Sequence, residues 1–300
     1  MASMITMFLQ SAYSMIDGLF VSNLIGDTAL SAVNVAWPVI AVVTAIGTGV
    51  GCSGAVMMST KQGEGKNEES NIVRANVILA LLASSIVVTI LFLVLLTPLL
   101  KLMGAEGELL RLSQIYGRVM LTGGVLQILS CGLTPLLRND NRAVSAMMIM
   151  VGGLFANLGL DFVFMYVFHM GIGGAAGASL CAQLFTTLCC LIILGTKKTD
   201  PIRFSQFMIR KEYWKKIFKT AVSPFGISLT PSLLILYHNV ACLKFGGDLA
   251  VNAYALISST VGSYRVLLIG VAEGIQPLAS YAYGAHDFHA IRKIRNKAII

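Results

Sequence analysis

The chain has 300 residues, of which 56% are hydrophobic and only 12% are charged, and its mean hydropathy is +0.78. This composition excludes an ordinary soluble domain and is typical of a protein that crosses a bilayer several times. The net charge of +8 would also fit a nucleic-acid-binding protein, so the positions of the cations must decide between the two classes.

Eight apolar segments are long enough to cross a membrane. Uncharged runs such as 32–59 and 75–100 exceed the roughly 18 residues that indicate a transmembrane helix. Because a bilayer offers the backbone no hydrogen-bond partners, such runs must be helical, and they are too long for barrel strands. The predicted fold class is therefore all-α, a polytopic membrane helix bundle. The predicted spans are 4–25, 32–59, 75–100, 115–137, 143–168, 172–196, 220–243 and 249–282.

Most of the 22 Lys and Arg residues follow the even-numbered spans, among them Arg74 after span 2 and Arg138 after span 4. The odd-numbered exits hold little beyond Lys101, Arg111 and Lys244. By the positive-inside rule, the even exits and both chain termini are predicted to be cytoplasmic. The basic charge thus indicates topology, and we expect a lipid bilayer and not a nucleic acid as its partner.

The sequence predicts neither an enzyme nor a cofactor-binding protein. All six cysteines lie in apolar segments without the spacing of metal ligands, and they read as small packing residues. No phosphate-binding loop or nucleophile motif is visible between the spans. We therefore expect no resident metal and no cofactor.

An internal repeat appears when the chain is aligned with itself at an offset of 221 residues. This register pairs Gly26-Asp27 with Gly247-Asp248 and Gly63 with Gly284. Spans 1 and 7 run in the same direction, so the repeat is parallel, with its axis along the membrane normal. Six spans a repeat predict twelve in total, and we expect the chain to be part of a protein of about 440 residues or more.

The repeat divides the chain into three predicted regions. The first lobe comprises residues 1–196 with spans 1 to 6. A basic, cytoplasmic linker covers residues 197–219. Residues 220–300, with spans 7 and 8, are predicted to begin a second lobe.

Several short polar and glycine-containing motifs lie in or beside the spans: YSMIDGLFV at 13–21, GDTALSA at 26–32, RND at 138–140, NLGLD at 157–161, GGAAGA at 173–178 and QPL at 276–278. Together these motifs resemble those of the multidrug and toxic compound extrusion (MATE) family, and most of all its MepA-like bacterial branch. Their order and spacing cover essentially the whole chain. The resemblance implies twelve helices in two lobes that alternate between outward-open and inward-open states, and drug extrusion driven by inward movement of H+ or Na+.

Ionisable residues within spans are few, and each is a candidate functional residue because a buried charge is costly in a membrane. Asp17 lies in span 1. Asp161 lies in span 5, with Asn157 one turn earlier on the same face. The resemblance implies that these three residues form the coupling-cation site, for H+ or Na+. The alternatives are that Asp17 lies near the outer interface, or that Asp161 only bonds a neighbouring helix.

Span 8 contains a second polar group. Glu273 and Gln276 are three residues apart and share one helix face, and Arg265 lies two turns earlier. Glu273 would bind a cationic drug or a proton, or it would neutralise Arg265 as a buried ion pair. We predict that Glu273 and Gln276 lie on the substrate path.

The sequence thus predicts a monomeric secondary antiporter in a bacterial plasma membrane that exports cationic drugs or toxins. The alternative is a lipid-linked saccharide flippase of the same superfamily. A flippase should show a cationic cavity for pyrophosphate, and only Arg265 and Arg118 lie in or near the spans. A membrane-embedded enzyme would need a catalytic group of residues that is not visible.

Overall fold

The structure is a computed structural model that describes residues 8–9, 16–18, 20–195 and 206–299. The described residues are helical apart from short connections. The helices are α1 (residues 16–18 and 20–24), α2 (Asp27–Gly63), α3 (Asn67–Leu102), α4 (Gly107–Thr122), α5 (Gly124–Asn139), α6 (Ala143–Asp161), α7 (Gly171–Gly195), α8 (Lys211–Gly284) and α9 (Phe288–Ile299). A π-helical segment, Phe162–Val167, continues α6.

Within the described residues, four helices are long and apolar enough to cross a membrane: α2, α3, α6 with its π-helical end, and α7. They coincide with predicted spans 2, 3, 5 and 6. The pair α4 and α5 counts as a fifth span if it is taken as one broken helix. The protein is therefore a multi-pass membrane protein. Half of predicted span 1, 4–25, lies outside the described residues.

Predicted span 4 differs from the structure, which bends it by 58° between Thr122 and Gly124. The sequence predicts one unbroken helix over 115–137. In the structure the helix breaks at two glycines, where the chain passes close to neighbouring helices. A β carbon at Gly123 would overlap the Leu180 side chain of α7, and one at Gly124 would overlap Thr89 of α3. The bend lets α4 and α5 pack against both helices.

Helix α2 lies at the centre of the bundle because its glycines admit a different neighbour on each face. A β carbon at Gly51 would overlap the backbone of Gly132 in α5. One at Gly54 would overlap Val77 of α3, and one at Gly49 would lie 3.0 Å from the Ala221 carbonyl oxygen of α8. Such small residues give transmembrane helices the close van der Waals contact on which their association depends.

Helix α8 is helical throughout its 74 residues, but it is not one straight rod. Ser53 Oγ donates to the Ile217 carbonyl oxygen at 2.9 Å, whereas Gly284 packs against Thr60, only seven residues further along α2. A straight helix would separate Ile217 from Gly284 by about 100 Å at a rise of about 1.5 Å per residue. The chain therefore doubles back between these contacts, which fits two antiparallel crossings.

Both ends of α8 consequently lie beside the Gly63 end of α2. The helix begins at Lys211, inside the predicted linker 197–219, so the last part of that linker is helical. Residues 196–205 of the linker region lie outside the described residues.

Candidate functional site

Asp161 is the last residue of α6, and the π-helical segment starts directly after it. Its side chain is fully buried, and that of Asn157 is 6% exposed. Asn157 Nδ2 donates a hydrogen bond of 3.1 Å to Asp161 Oδ2. A π-helical turn inside a helix often marks a functional position, since it re-aims the side chains beside it. The predicted Asn-x-x-x-Asp pair is thus in direct contact.

Asp17 of α1 joins this pair from the start of the chain. Its half-buried carboxyl lies at hydrogen-bonding distance from that of Asp161. Two adjacent carboxyl groups cannot both carry an unscreened charge in a membrane interior, so the pair needs a shared proton or a bound cation. The structure therefore brings together the three residues that the family resemblance implies form one cation site.

Tyr116 of α4 is a fourth residue of this cluster that the sequence analysis missed. It is 5% exposed and lies within electrostatic range of both Asp17 and Asp161. A phenol can donate to a carboxylate and separate it from lipid. Nothing in the local sequence distinguishes Tyr116 from other aromatic residues of the spans, so only its position near Asp17 and Asp161 in the structure identifies it.

Within the described residues, no group of three or more His, Cys, Asp or Glu side chains is arranged to hold a metal ion. The cluster of Asp17, Asn157 and Asp161 contains two carboxyls and one amide. These oxygen ligands suit a proton or a hard cation such as Na+ better than a transition metal.

Glu273 and Gln276 lie elsewhere, where α8 contacts α5. Arg138 Nη1 is 2.7 Å from Glu273 Oε2, and Asn139 Nδ2 donates to Gln276 Oε1 at 3.0 Å. We call these four residues the α5–α8 junction. The structure does not bring Glu273 and Gln276 to the Asp161 cluster.

The alternative in which Glu273 forms an ion pair with Arg265 is wrong. Arg265 is exposed, and the cation beside Glu273 is Arg138, which is 8% exposed at its side chain. Arg138 had been assigned only to the basic exit after span 4. Its pairing across 135 residues depends on how α5 meets α8, which hydropathy does not encode.

A buried polar network extends from the junction into the first four spans. Ser59 Oγ of α2 donates to Asn139 Oδ1 at 2.9 Å. The neighbouring Asp140 pairs with Arg74 of α3 at 3.5 Å, and both side chains are 1% exposed. Arg74 had been counted among the exit cations of span 2, but the structure buries it as half of an ion pair. The RND motif at 138–140 therefore connects α2, α3, α5 and α8.

Comparison with known proteins identifies the family. A family model described as MatE matches residues 2–163. Multidrug export protein MepA of Staphylococcus saprophyticus is 24% identical over 282 residues, covering 93% of this chain and 62% of that protein. Multidrug export protein MepA of Staphylococcus aureus is 25% identical over 289 residues, covering 94% and 63%.

A solved structure agrees with these relatives. It is described as the outward-facing conformation of a multidrug resistance MATE family transporter of the MOP superfamily. It superposes with a TM-score of 0.92 at 27% identity, covering 99% of this chain and 66% of that one. The fold of this chain is therefore similar to that of a MATE family structure over almost its whole length.

The chain belongs to the MatE family, because the family model matches more than half of its residues. Within the family it is similar to the MepA proteins. It spans 62–63% of the length of these two relatives.

Proposed function

We propose that the protein works as a secondary active multidrug efflux transporter, exporting organic cations in exchange for inward H+ or Na+ by alternating access. The MatE family match and the MepA relatives support the class of activity. The observation that carries the proposal is the fully buried Asp161, in contact with Asn157 and Asp17.

Asp17, Asn157 and Asp161 bind the coupling cation. Asp161 and Asp17 supply carboxylate oxygens from two helices, and Asn157 fixes the orientation of Asp161. When a cation or proton is bound, the pair of carboxyls is neutralised, and the helices can stay packed together. Loss of that cation leaves two like charges beside each other, which favours a different packing of α1 against α6. The cluster thereby links cation occupancy to helix arrangement.

Glu273 and Gln276 act on the substrate path. In the arrangement described, Glu273 Oε2 and Gln276 Oε1 are each bonded to a side chain of α5. When α5 and α8 separate, the Glu273 carboxylate is released and can attract an organic cation. The Gln276 amide is released as well and can donate or accept a hydrogen bond with that substrate. The anionic charge of Glu273 suits the cationic class of substrate.

The protein lies in the plasma membrane of a bacterium with the Gly63 end of α2 at the cytoplasm. The basic residues that follow spans 2, 6 and 8 support this orientation, since cations are retained on the cytoplasmic side. The second lobe of the transporter begins in α8. We propose a monomer as the working unit, because one chain of this family contains both lobes.

Ethidium efflux from cells that express the complete transporter tests the proposal. Wild type, Asp161→Asn and Asp27→Asn are compared under separate Na+ and pH gradients. Asp27 is an exposed carboxylate bonded to Ser22, so its variant matches the chemical change outside the cluster. We expect efflux by wild type and Asp27→Asn, and its loss in Asp161→Asn. Full efflux by Asp161→Asn would contradict the cation site. If wild type exports no cationic dye, the flippase becomes the better candidate.

A further inference from the structure

Two glycines related by the internal repeat pack against each other. Gly63 ends α2 and Gly284 ends α8, and a β carbon on Gly63 would lie 3.0 Å from Gly284 Cα. That β carbon would also overlap the Tyr281 carbonyl oxygen. In the reverse direction, a β carbon on Gly284 would overlap the Thr60 carbonyl oxygen.

Thr60 and Tyr281 are themselves related by the offset of 221 residues. The contact is therefore two-fold symmetric: each helix presents the same face, residue for residue, as in the interface of a symmetric dimer. Such a self-complementary contact must lie on the axis that relates the repeats. The two repeats thus touch on their axis, at the cytoplasmic end of the bundle.

The α5–α8 junction also joins the two repeats. Arg138 and Asn139 belong to the first repeat, whereas Glu273 and Gln276 belong to the second. Ser59 of α2 holds Asn139 in place by its own hydrogen bond of 2.9 Å. The junction consequently ties α8 to both α2 and α5.

Polar side-chain contacts hold α5 and α8 together at the junction, and these contacts can break. Within the described residues, Nε2 of Gln276 is buried and has no hydrogen-bond partner. A buried donor without a partner destabilises the arrangement that buries it. Water that enters the junction would bond this donor and hydrate the Arg138–Glu273 pair. These gains offset part of the cost of separating α8 from α5.

We propose that the α5–α8 junction and the Gly63–Gly284 contact form the cytoplasmic gate of the transporter, closed in this structure. The inference rests on the proposed function. Arg138–Glu273 and Asn139–Gln276 hold the gate closed, and the glycines let the two helices meet without a side chain between them. When the gate opens, the same four polar side chains line the entry from the cytoplasm.

Cys52 is a native reporter of this gate. It lies in α2, is partly exposed, and is within electrostatic range of both Arg138 and Glu273. It precedes Gly63 by eleven residues, so it lies about 16 Å further from the cytoplasm along the helix. Access to Cys52 from the cytoplasm therefore requires the gate to open.

The experiment measures the rate at which a membrane-impermeant maleimide modifies Cys52 in the complete transporter whose other cysteines are replaced. Inside-out vesicles report cytoplasmic access, and right-side-out vesicles report outside access. The variants are Arg138→Glu, Glu273→Arg and the double variant with the charges exchanged. We expect each single variant to raise cytoplasmic modification about tenfold and to lower outside modification, and the double variant to reverse most of both changes.

Arg111→Glu is the matched control. Arg111 and Glu108 also form an ion pair of 2.7 Å, but it is exposed and lies within α4. This variant should leave both modification rates unchanged. Gly63→Ala adds a test without a charge change: we expect it to raise cytoplasmic modification, while Gly226→Ala, which has open space around its β carbon, should not.

Unchanged Cys52 modification in well-folded single variants would overturn the gate. An equal increase in the rate of Cys52 modification from both sides of the membrane would also overturn the gate, because that pattern indicates a general loosening of helix packing. The readout needs no transport, so the gate and the proposed function can fail separately. A wild type without dye efflux but with the expected pattern of modification would refute only the proposed substrate class.

Discussion

Asn157 donates a 3.1 Å hydrogen bond to Asp161 from one helical turn away, and the carboxyl of Asp161 lies beside that of Asp17. The first contact is local to α6, whereas the second joins two helices that are distant in sequence. The cluster therefore depends both on helix periodicity and on the packing of α1. Each part of this arrangement can be tested separately.

Removal of the amide should weaken cation binding without abolishing the site. We expect Asn157→Ala to raise the cation concentration for half-maximal efflux about tenfold or more, since a hydrogen bond to a charged group contributes about 1.5–3 kcal/mol. Dye efflux at graded Na+ and H+ concentrations measures the change. Asn67→Ala, at an exposed position in the first turn of α3, is the control. Equal cation dependence in the two variants would exclude a role for Asn157.

The two carboxyls should act as one unit. We expect Asp17→Asn and Asp161→Asn each to reduce cation-driven efflux strongly, and the double variant to be little worse than either alone. The measurement is a double-mutant comparison of initial efflux rates at equal amounts of protein. Additive losses would show that Asp17 and Asp161 serve different steps.

Close packing of α2 against α5 should be sensitive to a single methyl group. Gly51→Ala places a β carbon against the Gly132 backbone, and we expect the unfolding temperature in detergent to fall by about 5 °C, since overpacking costs about 1–3 kcal/mol. Gly159→Ala, with open space around its β carbon, should not lower it. Equal unfolding temperatures for the two variants would refute the close contact.

The buried Arg74–Asp140 pair should matter more for stability than the exposed pairs near it. We expect Asp140→Asn to destabilise the protein by about 3–5 kcal/mol, because it leaves the Arg74 charge buried without its counter-charge. Thermal unfolding in detergent measures this loss.

Glu64→Gln is the control for that comparison. Glu64 accepts from Lys61 and Lys66 at 3.0 Å, and these contacts lower its pKa. Their stabilisation is therefore present at neutral pH and is lost as the pH falls through the lowered pKa. Water screens such exposed pairs, so we expect a small effect. An effect as large as that of Asp140→Asn would contradict the distinction between the two pairs.

The spans and the Asn157–Asp161 contact could be predicted from the sequence because both are local. A long apolar run has to be helical in a bilayer, and residues four apart share a helix face. The place of Asp17 beside them followed from resemblance to the family, since hydropathy contains no information on which helices are neighbours.

The bend at Gly123 and the partner of Glu273 could not be predicted in this way. Gly123 and Gly124 look like any other glycines of a membrane helix until Leu180 is seen beside Gly123 and Thr89 beside Gly124. Glu273 has a cation two turns away on its own helix, but it bonds Arg138 instead. Local spacing favoured the wrong partner because the pairing is determined by the contact between the repeats.

The most direct test of the account measures cation movement in proteoliposomes that contain the complete transporter. An outward gradient of an organic cation is imposed without any ion gradient, and the inward flux of H+ and Na+ is recorded. If the protein exchanges the drug for a cation, the drug gradient should drive an inward flux of H+ or Na+ in wild type and in Asp27→Asn. Asp161→Asn should abolish this flux. Drug-driven cation flux in Asp161→Asn equal to that of wild type would contradict the proposed coupling site.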